Sequence, residues 1–340
     1  MRAVEMLEHI HDIALIPVTI CIPVYNGGSY LRETLESLVA QTHKNIEIIV
    51  SDNASTDNSC EIVQQFQARD PRITLIKSNN NIGYCANTQK AIQAASNEYI
   101  AIYHADDIYS FEIIQRELSV LINFPEIAGV FSMPYMLYSP SRRAIKKRFH
   151  KKLIKHLPFY PKTNLIVGNY QNYISSLIKY GNFFACPSFM TKKSTYLKTG
   201  GFTERYQSCE DIELWLKYLQ GGHKLAIIND FLFTYRVSEN QESAHWRRQT
   251  SLGMIYNVYD DMIFQSPVGL TEFDYLNYQS NKAVGYARAA FAAYVVGDTE
   301  KMCDIIRSSR QCAVLPLFSP FGMAQRFPRI SFFIKSRLPW

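Results

Sequence analysis

Residues 18–59 of the chain read VTICIPVYNGGSYLRETLESLVAQTHKNIEIIVSDNASTDNS. The apolar, β-branched run at 18–24 ends in a Pro-Val-Tyr-Asn-Gly-Gly sequence, which predicts a buried strand followed by a tight turn. Residues 29–42 carry apolar side chains on one helical face, and residues 46–51 predict a second strand. This stretch therefore predicts a strand, a helix and a strand in succession, the unit from which parallel sheets are built.

The same alternation continues to residue 124. We predict strands over 73–76 and 98–103, and helices over 58–68, 84–95 and 110–124. Strands that alternate with helices of about 10–15 residues form a parallel sheet covered on both faces. The predicted fold class is therefore α/β, with a Rossmann-like, mostly parallel sheet. Ligands bind such sheets at the carboxyl ends of the strands, so one crevice should contain the polar clusters that follow the strands: Tyr25-Asn26, Asp52 to Asp57 and Asp106-Asp107.

The pattern is less regular after Ala128. The sequence predicts a strand near that residue, helices at 170–180 and 211–220, an apolar segment at 186–190 and a last strand at 224–228. Three further helices are predicted at 254–264, 275–296 and 300–311. We divide the chain into a leader of uncertain structure at 1–16, an α/β domain at 17–244 and a helical C-terminal region at 245–340.

The composition is that of a globular protein. The 340 residues are 47% hydrophobic and 19% charged, which excludes a disordered or collagen-like chain. Seven cysteines, none of them at C-x-x-C spacing, exclude a zinc ribbon and indicate reduced thiols in a cytosolic protein. No stretch reaches the roughly 18 apolar residues that span a bilayer, so we expect a soluble or peripheral protein.

The positive charge is unevenly distributed. The net charge is +6, yet residues 127–203 contain no Asp or Glu and 13 Lys and Arg, eight of them between Arg142 and Lys155. Such a basic run indicates a polyanionic partner or a solvated loop. Nucleic acid is disfavoured because no nucleic-acid-binding motif accompanies the run. The segment 326–340 mixes aromatic rings with cations, which is typical of an anionic membrane surface contact or of packing onto the domain.

The candidate functional residues are carboxylates, and the glycine-rich loops that bind phosphate are missing. Neither G-x-G-x-x-G nor G-x-x-x-x-G-K-[ST] occurs, which removes the main support for a dinucleotide oxidoreductase or a P-loop kinase. Asp106 and Asp107 after a buried strand are suited to hold a divalent cation that neutralises a diphosphate. Asp57 is predicted to cap a helix. Asp211, with Glu210, opens a helix, a position that lowers the carboxylate pKa and keeps it ionised as a proton acceptor.

Together these motifs resemble the family 2 glycosyltransferases, which are inverting enzymes with the GT-A fold. The resemblance covers roughly residues 17–243 and rests on these segments: the P-x-Y-N, Q-T and D-x-x-S-T-D motifs within 23–57, Asn81-Ile82-Gly83, Ala86-Asn87, the block at 104–107, Gly200-Gly201-Phe202, Glu210-Asp211, Leu214-Trp215 and Tyr235-Arg236. It implies a nucleotide-diphospho-sugar donor, with UDP favoured, a divalent metal (Mn²⁺ or Mg²⁺) and direct displacement with inversion. The nucleotide would bind at 17–107 and the acceptor at 108–244.

The resemblance also implies roles for single residues. Pro23, Tyr25 and Asp52 would hold the base and ribose, Asn26 would shape the loop, and Asn87 would approach the diphosphate. Asp106 would bind the metal on the nucleotide side, with support from Asp107. Asp211 would be the general base, and Glu210 would orient the acceptor or sugar. Trp215 and Arg236 would lie on the acceptor and donor-sugar side.

Two departures from the family pattern are visible. His104 replaces the first Asp of the usual D-x-D motif, and Ser238 stands where the family often has a His. The Q-x-x-R-W motif of processive members is missing, so we expect one sugar to be transferred per encounter. A lipid-linked oligosaccharide of cell-surface polysaccharide synthesis, at the inner face of the membrane, would explain the basic run. The alternatives are a nucleotidyltransferase and a GT-A-fold membrane-surface module without turnover.

Overall fold

The structure is a computed structural model of the chain. It describes residues 13–138, 143–145, 159–160, 163–206, 208–237, 251–265, 270–295, 297–300, 302–303 and 305. Most of the predicted leader, most of the basic run from Arg142 to Lys155, Ser238 and the aromatic segment 326–340 lie outside the described residues. Most of the helix predicted at 300–311 does so as well.

Eleven strands form one sheet across the described residues. Their bounds are β1 Val18–Val24, β2 Ile46–Asp52, β3 Ile73–Lys77, β4 Tyr99–Ile102, β5 Ile108–Tyr109, β6 Ile127–Tyr138, β7 Arg143–Ile145, β8 Phe159–Tyr160, β9 Leu165–Gly168, β10 Phe189–Lys192 and β11 Lys224–Val237. All the strands predicted before residue 124 are present, within a few residues of the expected bounds.

Helices connect and cover these strands. Their bounds are α1 Leu31–Val39, α2 Ser59–Gln67, α3 Tyr84–Ala94, α4 Ile113–Asn123, α5 Tyr170–Tyr180, α6 Lys193–Lys198, α7 Glu210–Gln220, α8 Ser251–Tyr259 and α9 Glu272–Val295. A π-helical turn, Asp260–Phe264, continues α8. In the described part of the chain, no helix is long and apolar enough to cross a bilayer.

The sheet is parallel over β1 to β4 and mixed beyond them. The strand order is β3-β2-β1-β4-β10-β6-β11-β9-β8. The first four strands are parallel to one another, whereas β10 runs antiparallel to both β4 and β6. The α/β fold class predicted from the sequence is therefore confirmed, and the parallel pairing is concentrated where the strand-helix alternation was regular.

Strand β11 extends well past its predicted end at residue 228. It continues to Val237 through shifts of register between Ile228 and Phe233, stays paired with β6 throughout and pairs with β5 at Phe233 and Thr234. Bulges of this kind bend a strand and change the direction in which it continues. The extension brings Arg236 next to Asp107, whose carboxylate accepts a hydrogen bond from the Arg236 main-chain N–H.

The core consists of two layers, one on each face of the sheet. Along β1, Ile20 and Ile22 belong to one apolar cluster and Cys21 to the other, as expected from the alternation of side chains along a strand. The C-terminal helices join the second layer: Tyr259 donates a hydrogen bond to the Leu177 carbonyl at 3.0 Å, and Asn281 donates one to the Ile178 carbonyl at 3.2 Å. The described part of the C-terminal region is thus packed on the α/β domain.

Candidate functional site

The loops that follow β1 and β2 are tied to each other by hydrogen bonds. The Asn26 side-chain oxygen accepts from the Thr56 N–H at 2.8 Å, and the Asn26 N–H donates to the Ser55 hydroxyl at 2.9 Å. Asn26 has a positive φ of 51°, a conformation that Asn tolerates better than most residues. These contacts fix the backbone between the two strand ends, at the edge of the sheet where ligands bind in folds of this class.

Asp57 closes the same pair of loops from the other side. Its carboxylate accepts from the Gly28 N–H at 2.8 Å and from the Ser59 N–H and hydroxyl at the start of α2. Burial opposes its ionisation, yet the bonds from Ser59 and Gly28 hold the pKa of Asp57 below its usual value. A Cβ at Gly28 would lie 2.8 Å from the Asp57 oxygen that accepts the Gly28 N–H, so a larger residue here would push that carboxylate away. Asp57 therefore holds this turn and accepts the N–H of the first residue of α2, although the N-cap residue of that helix is Asn58.

Asp52 and Tyr25 lie together at the carboxyl ends of β1 and β2. Val24, the residue before Tyr25, is the register partner of Asp52. The Tyr25 ring is 52% exposed, whereas Asp52 is 3% exposed. One Asp52 oxygen accepts from the Ser55 N–H at 3.1 Å, and the other finds no hydrogen-bond partner among the described residues. An exposed ring beside an unsatisfied carboxylate can stack on a base and accept hydrogen bonds from a base or ribose.

The predicted contact of Asn87 with the diphosphate is not supported by the structure. Asn87 is 1% exposed, and its side chain both accepts from the Ser51 hydroxyl and donates to the Ser51 carbonyl, each at 2.8 Å. Its amide is thus used to fasten α3 to the end of β2. Asn53, which the sequence analysis did not single out, orders the next loop by accepting from the Ile82 N–H at 2.8 Å.

The segment after β4 forms a compact cluster of possible metal ligands. One ligand atom from each of His104, Asp106 and Asp107 lies within 4.8 Å of the others. The Thr34 hydroxyl of α1 lies within hydrogen-bond distance of two carbonyls of this segment, at 2.7 Å from the Asp107 oxygen and 2.9 Å from the Ala105 oxygen. The backbone that carries the cluster is therefore fixed by α1.

Asp107 is fully buried with an unsatisfied oxygen. Its Oδ1 accepts from the Arg236 N–H at 2.9 Å, and its Oδ2 has no hydrogen-bond partner among the described residues. Burial and the neighbouring Asp106 raise the pKa of Asp107 well above its usual value, and the opposing effect of Arg236 is smaller. A bound cation would satisfy the free oxygen and favour the ionised form of both acids.

The Arg236 side chain is held against α1. Its guanidinium forms an ion pair with Glu33 and lies 4.8 Å from the centre of the Tyr30 ring. Arg236 is 8% exposed as a residue. The side chain therefore contacts α1 while the main-chain N–H contacts Asp107, and the predicted place of Arg236 on the acceptor and donor-sugar side stays a prediction. Glu33, on the exposed side of α1, was missed because nothing in its helical pattern distinguishes it from a solvated acid.

Asp211 and Glu210 lie at the amino end of α7, in a pocket built by neighbouring polar groups. The Asn182 amide donates to Asp211 Oδ2 at 2.6 Å, and the Ile212 N–H donates to Asp211 Oδ1 at 2.7 Å. Glu210 accepts from the Ser208 N–H at 2.9 Å. Asn182 was missed by the sequence analysis because a polar residue that follows a helix end is usually a simple turn residue.

The pKa of Asp211 is raised in the structure, so the prediction that its helix position lowers the pKa is wrong. Burial raises that pKa from 3.8 to about 7, with a further rise from the Glu210 charge, and the hydrogen bonds from Ile212 and Asn182 oppose the change only in part. The helix position was expected to lower it, but loss of hydration is the larger effect here. A carboxylate with a pKa near neutrality is well suited to accept a proton and later release it.

Tyr84 contacts both His104 and Cys186. Its hydroxyl lies 3.2 Å from His104 Nε2 and 3.9 Å from Cys186 Sγ. Burial raises the pKa of Cys186, and the charge of Asp211 adds to that rise, so the thiol lies within the electrostatic reach of Asp211. Tyr84 therefore joins His104, a member of the possible metal-ligand cluster, to Cys186, whose pKa is affected by the charge of Asp211.

Trp215 lies in the core, and not on the acceptor and donor-sugar side where it was predicted. It is completely buried, with its ring 4.5 Å from the centre of Phe189 and 4.7 Å from that of Phe131. Trp215 therefore packs α7 onto the sheet and does not lie on the acceptor side. The Leu214-Trp215 motif lies in the amphipathic helix α7, and Trp215 is on its apolar face.

Comparison with known proteins shows what this chain is similar to. The family model described as "Glycosyl transferase family 2" matches residues 19–187. The Escherichia coli protein "UDP-Glc:alpha-D-GlcNAc-diphosphoundecaprenol beta-1,3-glucosyltransferase WfaP" is 32% identical over 228 residues, which is 67% of this chain and 80% of that protein.

Two solved structures share the fold at low sequence identity. S. aureus TarS (residues 1–349) in complex with UDP-GlcNAc has a TM-score of 0.52 at 15% identity, over 87% of this chain and 92% of TarS. The mannosyltransferase PcManGT from Pyrobaculum calidifontis, in complex with GDP-Man and Mn²⁺, has a TM-score of 0.57 at 15% identity, over 96% of this chain and 90% of that chain. These likenesses show the GT-A type of architecture.

Proposed function

Since the chain belongs to glycosyltransferase family 2 and is a glycosyltransferase, we propose that it moves one sugar from a UDP-sugar to the hydroxyl of a lipid-linked saccharide, with inversion at the anomeric carbon. The observation that carries this proposal is the environment of the Asp211 carboxyl, which raises its pKa and fixes its orientation. Asp211 is a partly buried carboxyl with a pKa of about 7, it is oriented by Asn182, and its charge acts on the Cys186 thiol, which lies beside Tyr84 and through it beside His104.

In the proposed reaction Asp211 accepts the proton of the acceptor hydroxyl. The acceptor oxygen forms a bond to the anomeric carbon as the bond from that carbon to the diphosphate oxygen breaks, so the nucleoside diphosphate leaves with the bonding electrons. A single displacement needs no covalent sugar-enzyme intermediate. Asn182 and the Ile212 N–H hold both Asp211 oxygens and leave each a further lone pair for the proton. Glu210 is proposed to orient the acceptor or sugar.

The residues after β4 fit a divalent metal. Two carboxylates and an imidazole converge within 4.8 Å, and the buried Asp107 Oδ2 lacks a hydrogen-bond partner. We propose Asp106 as the principal ligand, with Asp107 in support. When bound, Mn²⁺ or Mg²⁺ would supply positive charge against the leaving diphosphate. PcManGT is described with Mn²⁺, which supports the choice of that metal.

The nucleotide is proposed to bind across the ends of β1 and β2. Tyr25 offers an exposed residue for the base, Pro23 is the last residue but one of the buried strand before it, and Asp52 has a carboxylate oxygen without a hydrogen-bond partner among the described residues. Asn26 holds the loop between them. UDP is favoured because WfaP is described as using UDP-Glc and TarS was solved with UDP-GlcNAc. The complex of PcManGT with GDP-Man makes GDP the competing base.

The acceptor is proposed from the named activity of WfaP, whose acceptor is a sugar on diphosphoundecaprenol. Such a substrate would place this protein at the cytoplasmic face of the cell membrane in polysaccharide synthesis. The 13 Lys and Arg of the acid-free stretch 127–203 support that location, because cations attract anionic headgroups and the lipid diphosphate. Flotation with vesicles containing anionic lipid tests the membrane contact, and protein that stays entirely unbound would refute it.

A donor and acceptor panel tests the reaction itself. UDP- and GDP-sugars are offered with polyprenyl-diphosphate-linked monosaccharides, and release of nucleoside diphosphate is measured with the wild type, Asp211→Asn and the remote control Asn45→Ala. We expect one acceptor-dependent donor, inverted anomeric configuration in the product and a loss of at least 100-fold in Asp211→Asn alone. Equal turnover by Asp211→Asn would refute the assignment of the base.

A further inference from the structure

We propose that His104 is a third ligand of the metal site, through Nδ1, and that it makes the site prefer Mn²⁺ and other transition-metal ions over Mg²⁺ and Ca²⁺. The inference rests on the metal site of the proposed function and specifies its ion class. His104 is separated from the acidic pair by one residue, in a cluster whose ligand atoms lie within 4.8 Å of one another. Metal–ligand distances of about 2.0–2.2 Å are then reached by small side-chain movements.

The hydrogen bonds around the ring leave one nitrogen for a metal. Nε2 of His104 lies 3.2 Å from the Tyr84 hydroxyl, which in turn lies 3.9 Å from Cys186 Sγ. In a consistent arrangement, Nε2–H donates to the Tyr84 oxygen, the Tyr84 hydroxyl donates to the sulfur, and Nδ1 keeps its lone pair. A ligating histidine characteristically donates its other N–H to a fixed acceptor, which sets the tautomer and the ring orientation.

The backbone and ring of His104 are fixed before any ion binds. The His104 N–H donates to the Tyr109 hydroxyl at 2.7 Å, and that hydroxyl also lies 3.0 Å from the Pro187 carbonyl, to which it donates. The imidazole packs edge-on against the Tyr84 ring, with the ring centres 5.8 Å apart. Fixed ligands lose little freedom when they bind a metal, so these contacts favour coordination over a solvated side chain.

The buried Asp107 is an independent sign that a cation belongs here. It is fully buried, and its Oδ2 has no hydrogen-bond partner among the described residues although Oδ1 is paired with the Arg236 N–H. The resulting donor set is one imidazole nitrogen with carboxylate oxygens. Carboxylates alone suit Mg²⁺ and Ca²⁺ as well as Mn²⁺, whereas an imidazole favours the transition metals, so His104 shifts the preference of the site.

Pulsed electron paramagnetic resonance of Mn²⁺ in the full chain, with and without UDP, tests the proposal directly. Coordination by His104 predicts ¹⁴N modulation in the wild type that changes to the ¹⁵N pattern when histidine is ¹⁵N-labelled. It should vanish in His104→Asn and persist in the control His223→Asn, which alters a histidine outside the cluster. The structure also predicts that Tyr84→Phe weakens Mn²⁺ binding by roughly tenfold, the lower end for loss of a ligand-orienting partner.

Ion selectivity provides the second readout. We expect the ratio of Mn²⁺ to Mg²⁺ affinity to fall at least tenfold in His104→Asp, where an oxygen ligand replaces the nitrogen. Mn²⁺-loaded wild type without ¹⁴N modulation, or His104→Asn with unchanged Mn²⁺ affinity and selectivity, overturns the inference. The proposed function would survive that result if sugar transfer and its dependence on Asp106 remain. Failure of Mn²⁺ to bind even with UDP would overturn both the inference and the metal role of Asp106.

Discussion

The hydrogen bond from Asn182 to Asp211 should determine the pH at which the enzyme becomes active. Asn182→Ala removes a donor that lies 2.6 Å from Asp211 Oδ2 and favours the ionised carboxylate. A hydrogen bond to a charged group contributes about 1.5–3 kcal/mol. Because a tenfold change in proton affinity is about 1.4 kcal/mol, the pKa of Asp211 should rise by about one to two pH units in this variant.

The kinetic consequence depends on pH. At pH 7 the wild-type carboxyl, with a pKa of about 7, is about half ionised. The variant would be about 1–10% ionised, so kcat/KM should fall about 5- to 50-fold at pH 7 and recover above pH 9. The assay is a profile of kcat/KM between pH 5.5 and 10 for the wild type, Asn182→Ala and the control Asn45→Ala, whose amide bonds the Leu15 carbonyl at the opposite end of β2.

Two results would refute this reasoning. An acid limb of the Asn182→Ala profile at the wild-type position would mean that the hydrogen bond does not tune Asp211. A loss of activity that is the same at every pH would mean that Asn182 acts by another route, such as contact with the acceptor. A parallel titration of ¹³C-labelled Asp carboxyls by NMR separates the two, because it reports the Asp211 pKa without turnover.

Three further outcomes follow from the site. Asp211→Asn should stabilise the protein at pH 8 but not at pH 4, because folding raises the pKa of this carboxyl from 3.8 to about 7. Ionisation of the buried carboxyl therefore costs up to about 4 kcal/mol of stability as the pH increases through that window. Thermal unfolding at both pH values measures the difference, and equal effects of the substitution at the two pH values would contradict this prediction. Gly28→Ala should weaken UDP binding roughly tenfold in calorimetry, since its Cβ would lie 2.8 Å from Asp57 Oδ2 and displace the carboxylate that ties the two loops together; unchanged affinity would show that this loop does not hold the nucleotide. Trp215→Phe should lower the free energy of unfolding by about 1–3 kcal/mol and leave the acceptor KM unchanged, because the indole packs only in the core; a raised acceptor KM in folded protein would restore its predicted substrate role.

The sequence was sufficient for the parallel half of the fold because each element there has a strong local signal. β1 and β2 are short apolar runs that end at polar turns, and α1 and α4 have clear apolar faces. The second half depends on long-range pairing. β11 continues beyond residue 228 only because β6 and β5 offer it partners across register shifts, which no local pattern contains.

The site residues show the same difference between local signals, which the sequence contains, and long-range contacts, which it does not. The acids at strand and helix ends were found from their position, whereas the roles of Asn87 and Trp215 were misjudged because motif membership does not reveal burial. Tyr84, Asn182 and Glu33 escaped notice because each acts through a partner distant in sequence: His104, Asp211 and Arg236. The pKa of Asp211 was misjudged for the same reason, since its largest cause is burial by surrounding elements and not the helix that carries it.

Nucleotide binding with and without Mn²⁺ tests the central claim most directly, because it requires neither the acceptor nor the sugar. Thermal unfolding is measured with UDP, GDP, dTDP and CMP for the wild type, Asp106→Asn and Asp211→Asn. Ligand at about 100 times its Kd should add roughly 2.7 kcal/mol to the free energy of unfolding. We predict this stabilisation for UDP, enhanced by Mn²⁺, lost in Asp106→Asn and retained in Asp211→Asn. Absence of stabilisation by any of the four nucleotides in the wild type would contradict the account.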